Sequence, residues 1–106
     1  MESMNIEEMR DNANETAEFL KSMAHPDRLM VLCQLSNGEV GFTELLESSH
    51  LSQSAFSQQL TVLKKKGLVK VRKEAQQVFY SLADDRVMML MGSLHSVFCK
   101  HQQEEK

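Results

Sequence analysis

The chain has 106 residues, 42% of them hydrophobic and 25% charged, with a net charge of −3. That size and mix fit one small globular domain with a modest core, which would gain from pairing with a second copy. The longest purely apolar run, Val87 to Met91, is far short of a membrane span, and the start MESMNIEEMR lacks a signal peptide's basic and apolar regions, so a cytoplasmic protein is expected.

In chain order, Ile6, Met9, Ala13, Ala17 and Leu20 recur at helical spacing, which predicts an amphipathic helix over 5–23. Pro26 suits a first helical position, with Asp27 near the positive helix end; this second helix runs to Ser36, carries Leu29, Leu32 and Cys33 on one side, and stops at Asn37-Gly38. His25 and His50 stand beside helix starts and read as local structure. A short third helix spans about 42–49, with Leu45 and Leu46 inward. Ser52 caps a fourth helix that continues to about Lys66 and ends at Gly67. Leu68 to Lys73 alternates like a strand, Glu74-Ala75-Gln76 turns, and Gln77 to Leu82 returns as a second strand. Asp84 begins the last helix, with Val87, Leu90, Met91, Leu94, Val97 and Phe98 at helical spacing.

The order is α1-α2-α3-α4-β1-β2-α5, mainly α with a β-hairpin wing. Residues 42–66 form a helix-turn-helix and 68–82 the wing, a single winged helix-turn-helix domain over 1–106. On helix four, Phe56, Leu60 and Leu63 share one side. The opposite band is Gln53, Ser54, Ser57, Gln58, Thr61, Lys64 and Lys65, without an acid or an aliphatic residue. Glutamine can pair bidentately with adenine, and Ser and Thr reach several base edges or phosphates. Lysines at the helix end suit the phosphate backbone.

A solvated polar face would look similar in isolation. The charge distribution separates the two readings. Lys64, Lys65, Lys66, Lys70, Arg72 and Lys73, half of the 12 basic residues, fall in one stretch without an acid. The first twenty positions hold six acids against Arg10 alone. Local field matters more to phosphate than net charge. The basic hairpin, with Lys70, Arg72, Lys73 and Gln76, lies next to the polar band. Double-stranded DNA is therefore the expected partner, and the protein is expected at the nucleoid.

LSQSAFSQQLTVLKKKGLVKVRKEAQQVFYSL resembles the recognition helix and wing of the ArsR/SmtB family of bacterial dimeric repressors, and AHPDRLMVLCQL resembles that family's second helix. Gln59 departs from the pattern, where many relatives carry His. The resemblance implies a homodimer through the first and last helices, 5–23 and 84–101, and operator DNA with an imperfect palindrome. Packing of both helices onto their own core is the alternative. Two-fold symmetry would set the recognition helices about 34–36 Å apart.

The family's metal sites do not match. Gly41 and Thr43 stand where the arsenic and cadmium type places cysteines. Arg86 and Val97 stand where the zinc type needs histidines, although Asp84, Asp85 and His95 are present. No metal or other cofactor is expected. Cys33 and Cys99 each match a cysteine of the BigR/SqrR/HlyU-like branch. There the resemblance implies a dithiol sensor of persulfides, reactive sulfur species or oxidants, in which a disulfide or polysulfide bridge weakens DNA binding. Three alternatives stand beside it: two inert buried cysteines, a Zn²⁺ site made of Cys33, His95 and Cys99, and an HlyU-like activator that displaces a silencing protein. A protein-interaction dimer that has lost DNA binding is disfavoured by the basic wing. An enzyme is not expected, because neither cysteine sits at a helix N-terminus, the usual place of an activated thiol.

Overall fold

A computed structural model of the chain describes residues 5–98. Within them the order is α1 (Ile6–Met23), α2 (Pro26–Leu35), β1 (Val40–Gly41), α3 (Phe42–Glu47), α4 (Gln53–Lys65), β2 (Val69–Glu74), β3 (Gln77–Leu82) and α5 (Asp85–Phe98). This is the winged helix-turn-helix expected from the sequence, with one added strand at β1. That strand has two residues, too few to leave a periodic signal.

Local chemistry sets the helix ends. Asn5 caps α1 in a reciprocal capping box with Glu8. His25 caps α2: its Nδ1 accepts the Asp27 N–H at 3.1 Å, and Pro26 follows at the first helical position. Ser52 Oγ accepts the Ala55 N–H at 3.1 Å to open α4. Gly67, at φ +78°, ends it.

The three strands form an antiparallel sheet in the order β1-β3-β2. The hairpin register runs from Val69 opposite Leu82 to Glu74 opposite Gln77. Only Ala75 and Gln76 are left to turn the chain, because Glu74 belongs to the strand. Ala75 takes φ +56°, a left-handed conformation that costs an L-residue about 1–2 kcal/mol. β1 adds Val40 opposite Tyr80 and Gly41 opposite Phe79, which ties the hairpin to the entrance of α3.

The core lies between α2, α4, the sheet and α5. Leu32, Leu35, Leu45, Phe56, Leu60, Leu63, Leu68, Val87 and Met91 are buried in it. Each buried side chain of this size stabilises the fold by roughly 1.5–3 kcal/mol. The Phe42 and Phe56 rings, 5.9 Å apart, join α3 to α4.

Cys33 departs from expectation. Helical spacing places it on one side with Leu29 and Leu32, but it is exposed. α2 turns Val31, Leu32 and Leu35 inward. At 3.6 residues per turn Cys33 lies about 160° around the helix from Leu35, beyond the edge of the buried stripe. The inert-buried-cysteine alternative therefore fails for Cys33. Cys99 and the end of the expected 84–101 helix lie outside the described residues.

The chain's own core does not consume the apolar stripe of α1. Residues 5–18 are exposed throughout; near the end of α1 Phe19 packs on the core and Ser22 and Met23 are buried, while Asn12, Glu15 and Thr16 line an open groove with Arg86 and Leu90 of α5. Ile6 is 70% exposed, and Met9 and Leu20 are nearly half exposed. At the other end, α5 leaves Met88, Met89, Val97 and Phe98 uncovered. No helix among the described residues is long and apolar enough to cross a membrane.

Candidate nucleic-acid interface and thiol groove

α4 divides cleanly into two faces. Phe56, Leu60 and Leu63 are buried. Gln53, Ser54, Gln58, Thr61, Lys64 and Lys65 are exposed, and Ser57 is half-buried. The Thr61 hydroxyl donates to the Ser57 carbonyl at 2.9 Å, so its proton is engaged within the helix while its lone pairs face outward. No acid occurs between Gln53 and Lys65. Lys64 and Lys65 stand in the last turn, where cations suit the negative helix end.

On the wing, Lys70 and Lys73 of β2 and Gln76 in the turn are exposed. Among the described residues Lys64, Lys65, Lys70 and Lys73 form no ion pair. Arg72 behaves differently. Its Nε and Nη2 donate to Glu39 at 2.9 and 2.8 Å, and its Nη1 donates to Glu74 at 2.7 Å. The guanidinium sits 4.7 Å from the centre of the Phe79 ring. The hydrogen bonds from Arg72 hold the Glu39 carboxyl below the usual glutamate range.

A second feature opens between α2 and α5. Cys33, Gln34, Ser36, Asn37, Met88, Met91, Gly92 and His95 line an open groove of about 500 Å³. The Cys33 thiol approaches the Met91 thioether at 3.9 Å. Cys33 and His95 thus share one groove. Among the described residues no three His, Cys, Asp or Glu side chains gather as metal ligands.

Two polar links escaped the sequence reading. Arg28 Nε donates to Gln59 Oε1 at 2.8 Å, and its Nη1 donates to the Ser22 carbonyl at 3.1 Å. The position that departs from the family pattern therefore ties α4 to the end of α1. Nothing in the local sequence marks Glu39 as a functional residue. Its partner Arg72 lies 33 residues away, a separation that local patterning cannot register.

A helix-turn-helix with an acid-free outer face, flanked by a basic hairpin, defines a winged-helix DNA-binding regulator. The family model for "Bacterial regulatory protein, arsR family" matches residues 25–71. The chain is 38% identical over 101 residues to the biofilm growth-associated repressor of Xylella fastidiosa, covering 95% of this chain and 89% of that one. It is 43% identical over 100 residues to the transcriptional activator HlyU of Vibrio cholerae, covering 94% and 93%. The crystal structure of the transcriptional regulator HlyU from Vibrio vulnificus CMCP6 superposes with a TM-score of 0.85 at 44% identity, over 91% of this chain and all of that one. The chain belongs to the arsR family of bacterial regulatory proteins. It is a transcriptional regulator, and the relatives it matches are named as regulators rather than enzymes.

Proposed function

We propose that the chain is a homodimeric transcriptional repressor that binds operator DNA when its thiols are reduced, and that linking Cys33 to Cys99 releases it. The observation that carries the DNA half is the exposed, acid-free face of α4. Gln53, Ser54, Ser57 and Gln58 are the base readers. Thr61, Lys64, Lys65, Lys70 and Lys73 hold the phosphate backbone, with Gln76 at the tip of the wing. The bare stripes of α1 and α5 are what a second copy would cover, and its two-fold axis would set paired α4 helices on an imperfect palindrome.

The sensing half is supported by the exposure of Cys33 on a groove walled by α5, the helix whose last described residue immediately precedes Cys99 in sequence. An oxidant such as peroxide removes two electrons and two protons from the thiol pair and leaves a disulfide and water. Two equivalents of a persulfide would instead leave one sulfur atom between the two residues as a trisulfide, one persulfide donating its outer sulfur and the second acting as the oxidant, with two thiols and hydrogen sulfide released. A disulfide needs Cα atoms within about 7 Å, whereas inserted sulfur widens that reach.

The test pairs mass spectrometry with DNA titration. Reduced protein is treated separately with hydrogen peroxide, a disulfide reagent, glutathione persulfide and Zn²⁺. The expected result is a mass change on the linked Cys33–Cys99 peptides together with lost retardation of a duplex. DNA release without cross-linking, or cross-linking without release, rejects the switch. Release by Zn²⁺ alone favours the Cys33, His95 and Cys99 site. The 43% identity to a relative named as an activator supports one second reading, activation by displacing a silencing protein. A reporter strain lacking that silencer separates the two: a repressor still lowers expression there, and a displacer has no effect.

A further inference from the structure

Arg72 carries a positive charge in the wing, yet its surroundings are those of a structural clamp. β2 and β1 are not neighbours, because β3 runs between them. Arg72 stands on β2 directly opposite Phe79 of β3. It lies over the Phe79 ring and reaches across the central strand to Glu39, the residue just before β1. Glu74, two positions along β2, takes the remaining arm. Every arm of the guanidinium is thus held by a carboxylate, and its planar fork is matched to Glu39 in a bidentate pair.

The place of the clamp matters. β1 pairs with β3 through only two residues, Val40 and Gly41, and runs straight into α3. α3 also packs against β3, and Val40, Phe42 and Tyr80 lean on the core. Glu39, at the start of that connection, adds to this packing a directional tie across the sheet.

We propose that Arg72 is a positioning residue that locks the wing to the entrance of the helix-turn-helix, so that Lys70 and Lys73 meet DNA at a set angle, and that Arg72 itself makes no phosphate contact. This rests on the DNA-binding reading above. A pre-set wing costs less order on binding than a swinging one. Two carboxylates at the guanidinium would also have to be displaced before a phosphate could take their place.

Four proteins decide it: Arg72→Ala, Arg72→Lys, Glu39→Ala and the Arg72→Ala/Glu39→Ala double variant. Each is first shown to keep the wild-type helical content. All are titrated, over a range of salt, against a duplex of about 30 base pairs that the wild-type chain selects from a randomised pool, long enough for two half-sites. The clamp predicts that Arg72→Ala and Glu39→Ala each weaken binding by about tenfold. It predicts that the double variant is no worse than either single one, because the two residues act as a unit. Arg72→Lys should bind within about twofold of Arg72→Ala, since an ammonium cannot copy the fork.

A direct phosphate contact predicts the opposite pattern. Arg72→Lys would then bind like wild type. Arg72→Ala would lower the salt slope by about one, and Glu39→Ala, having lost a repelling charge, would bind as well as wild type or better. Either recovery by lysine or undiminished binding by Glu39→Ala overturns the clamp. A DNA-free measurement separates this from failure of the parent reading. Amide exchange across the Val40–Tyr80 and Gly41–Phe79 pairs should quicken in Arg72→Ala and Glu39→Ala alike, and unchanged exchange in both also overturns the proposal. If the wild-type chain selects no duplex, the DNA reading fails and amide exchange alone judges the clamp.

Discussion

Helices α1 and α4 share a design and differ in outcome. Each opens with a side-chain cap, and each carries apolar residues at helical spacing. On α4 the stripe of Phe56, Leu60 and Leu63 vanishes into the chain's own core. On α1 the stripe of Ile6, Met9 and Leu20 stays largely in water. An amphipathic pattern states that one face will leave solvent; it does not state which chain provides the cover. Bare apolar stripes on both α1 and α5 are the kind of surface that the proposed second copy would cover.

That contrast breaks most sharply in the core. Leu63→Ala removes a side chain with no exposed surface and should cost about 2–5 kcal/mol in urea unfolding. A loss under about 1 kcal/mol would mean that α4 is far less tightly seated than its burial implies. Phe98→Asp tests the other side. Phe98 is 71% exposed, so the substitution removes little from the chain's own packing. In the proposed dimer it places a charge where an aromatic anchor belongs, worth about 2 kcal/mol or more of association. Sedimentation should move toward the monomer across a dilution series, with helical content retained. An unchanged association state would take α5 out of the interface.

The same contrast explains what could be read beforehand. The recognition segment was legible because independent signals coincide: Ser52 at one end, Gly67 at the other, a clean Phe56-Leu60-Leu63 stripe, and alternation across the hairpin. Cys33 was misplaced because helical spacing put it beside Leu29, while the actual edge of the buried stripe is set by how Val31, Leu32 and Leu35 meet the core. Arg72 read as one more wing cation. Its charge is legible in sequence; the two carboxylates that offset it are brought there by the fold, one from 33 residues away. β1 was missed because two residues paired to a distant strand carry no pattern of their own.

Smaller effects sharpen the comparison further. Ser52→Ala removes the α4 cap and should cost about 1 kcal/mol of global stability, because α4 cannot fray without opening the core. Asn5→Ala removes an equivalent cap from α1. It should cost well under half as much in the dilute monomer, since the first turns of α1 touch none of the core. Equal losses would show that α1 folds as one unit with the body. Ala75→Gly acts in the opposite direction. It relieves a left-handed alanine in the two-residue turn and should raise stability by roughly 0.5–1 kcal/mol, read as a higher urea midpoint at constant slope.

The smallest expected effect lies where the two regions meet. Arg86, near the start of α5, sits 4.3 Å from the centre of the Phe19 ring on α1. Asp84 holds it there through contacts of 3.1 and 2.7 Å. The Arg86 side chain first, and its backbone N–H second, lower the Asp84 pKa below the ordinary 3.8. A carboxyl with a depressed folded-state pKa contributes its stability above its unfolded value and loses it as pH falls through the folded one. The latch should therefore be constant from neutrality down to about pH 5, weaken as pH falls through the ordinary 3.8, and be lost below the depressed folded value. Because Arg86 is largely exposed, the gain is screened and slight. Asp84→Asn should leave urea unfolding nearly unchanged below the ordinary aspartate range, and make the variant slightly less stable than wild type at neutrality. An equal deficit at every pH would mean that the loss does not come from the charged carboxylate, and would take the Asp84–Arg86 pair out of the link to α1.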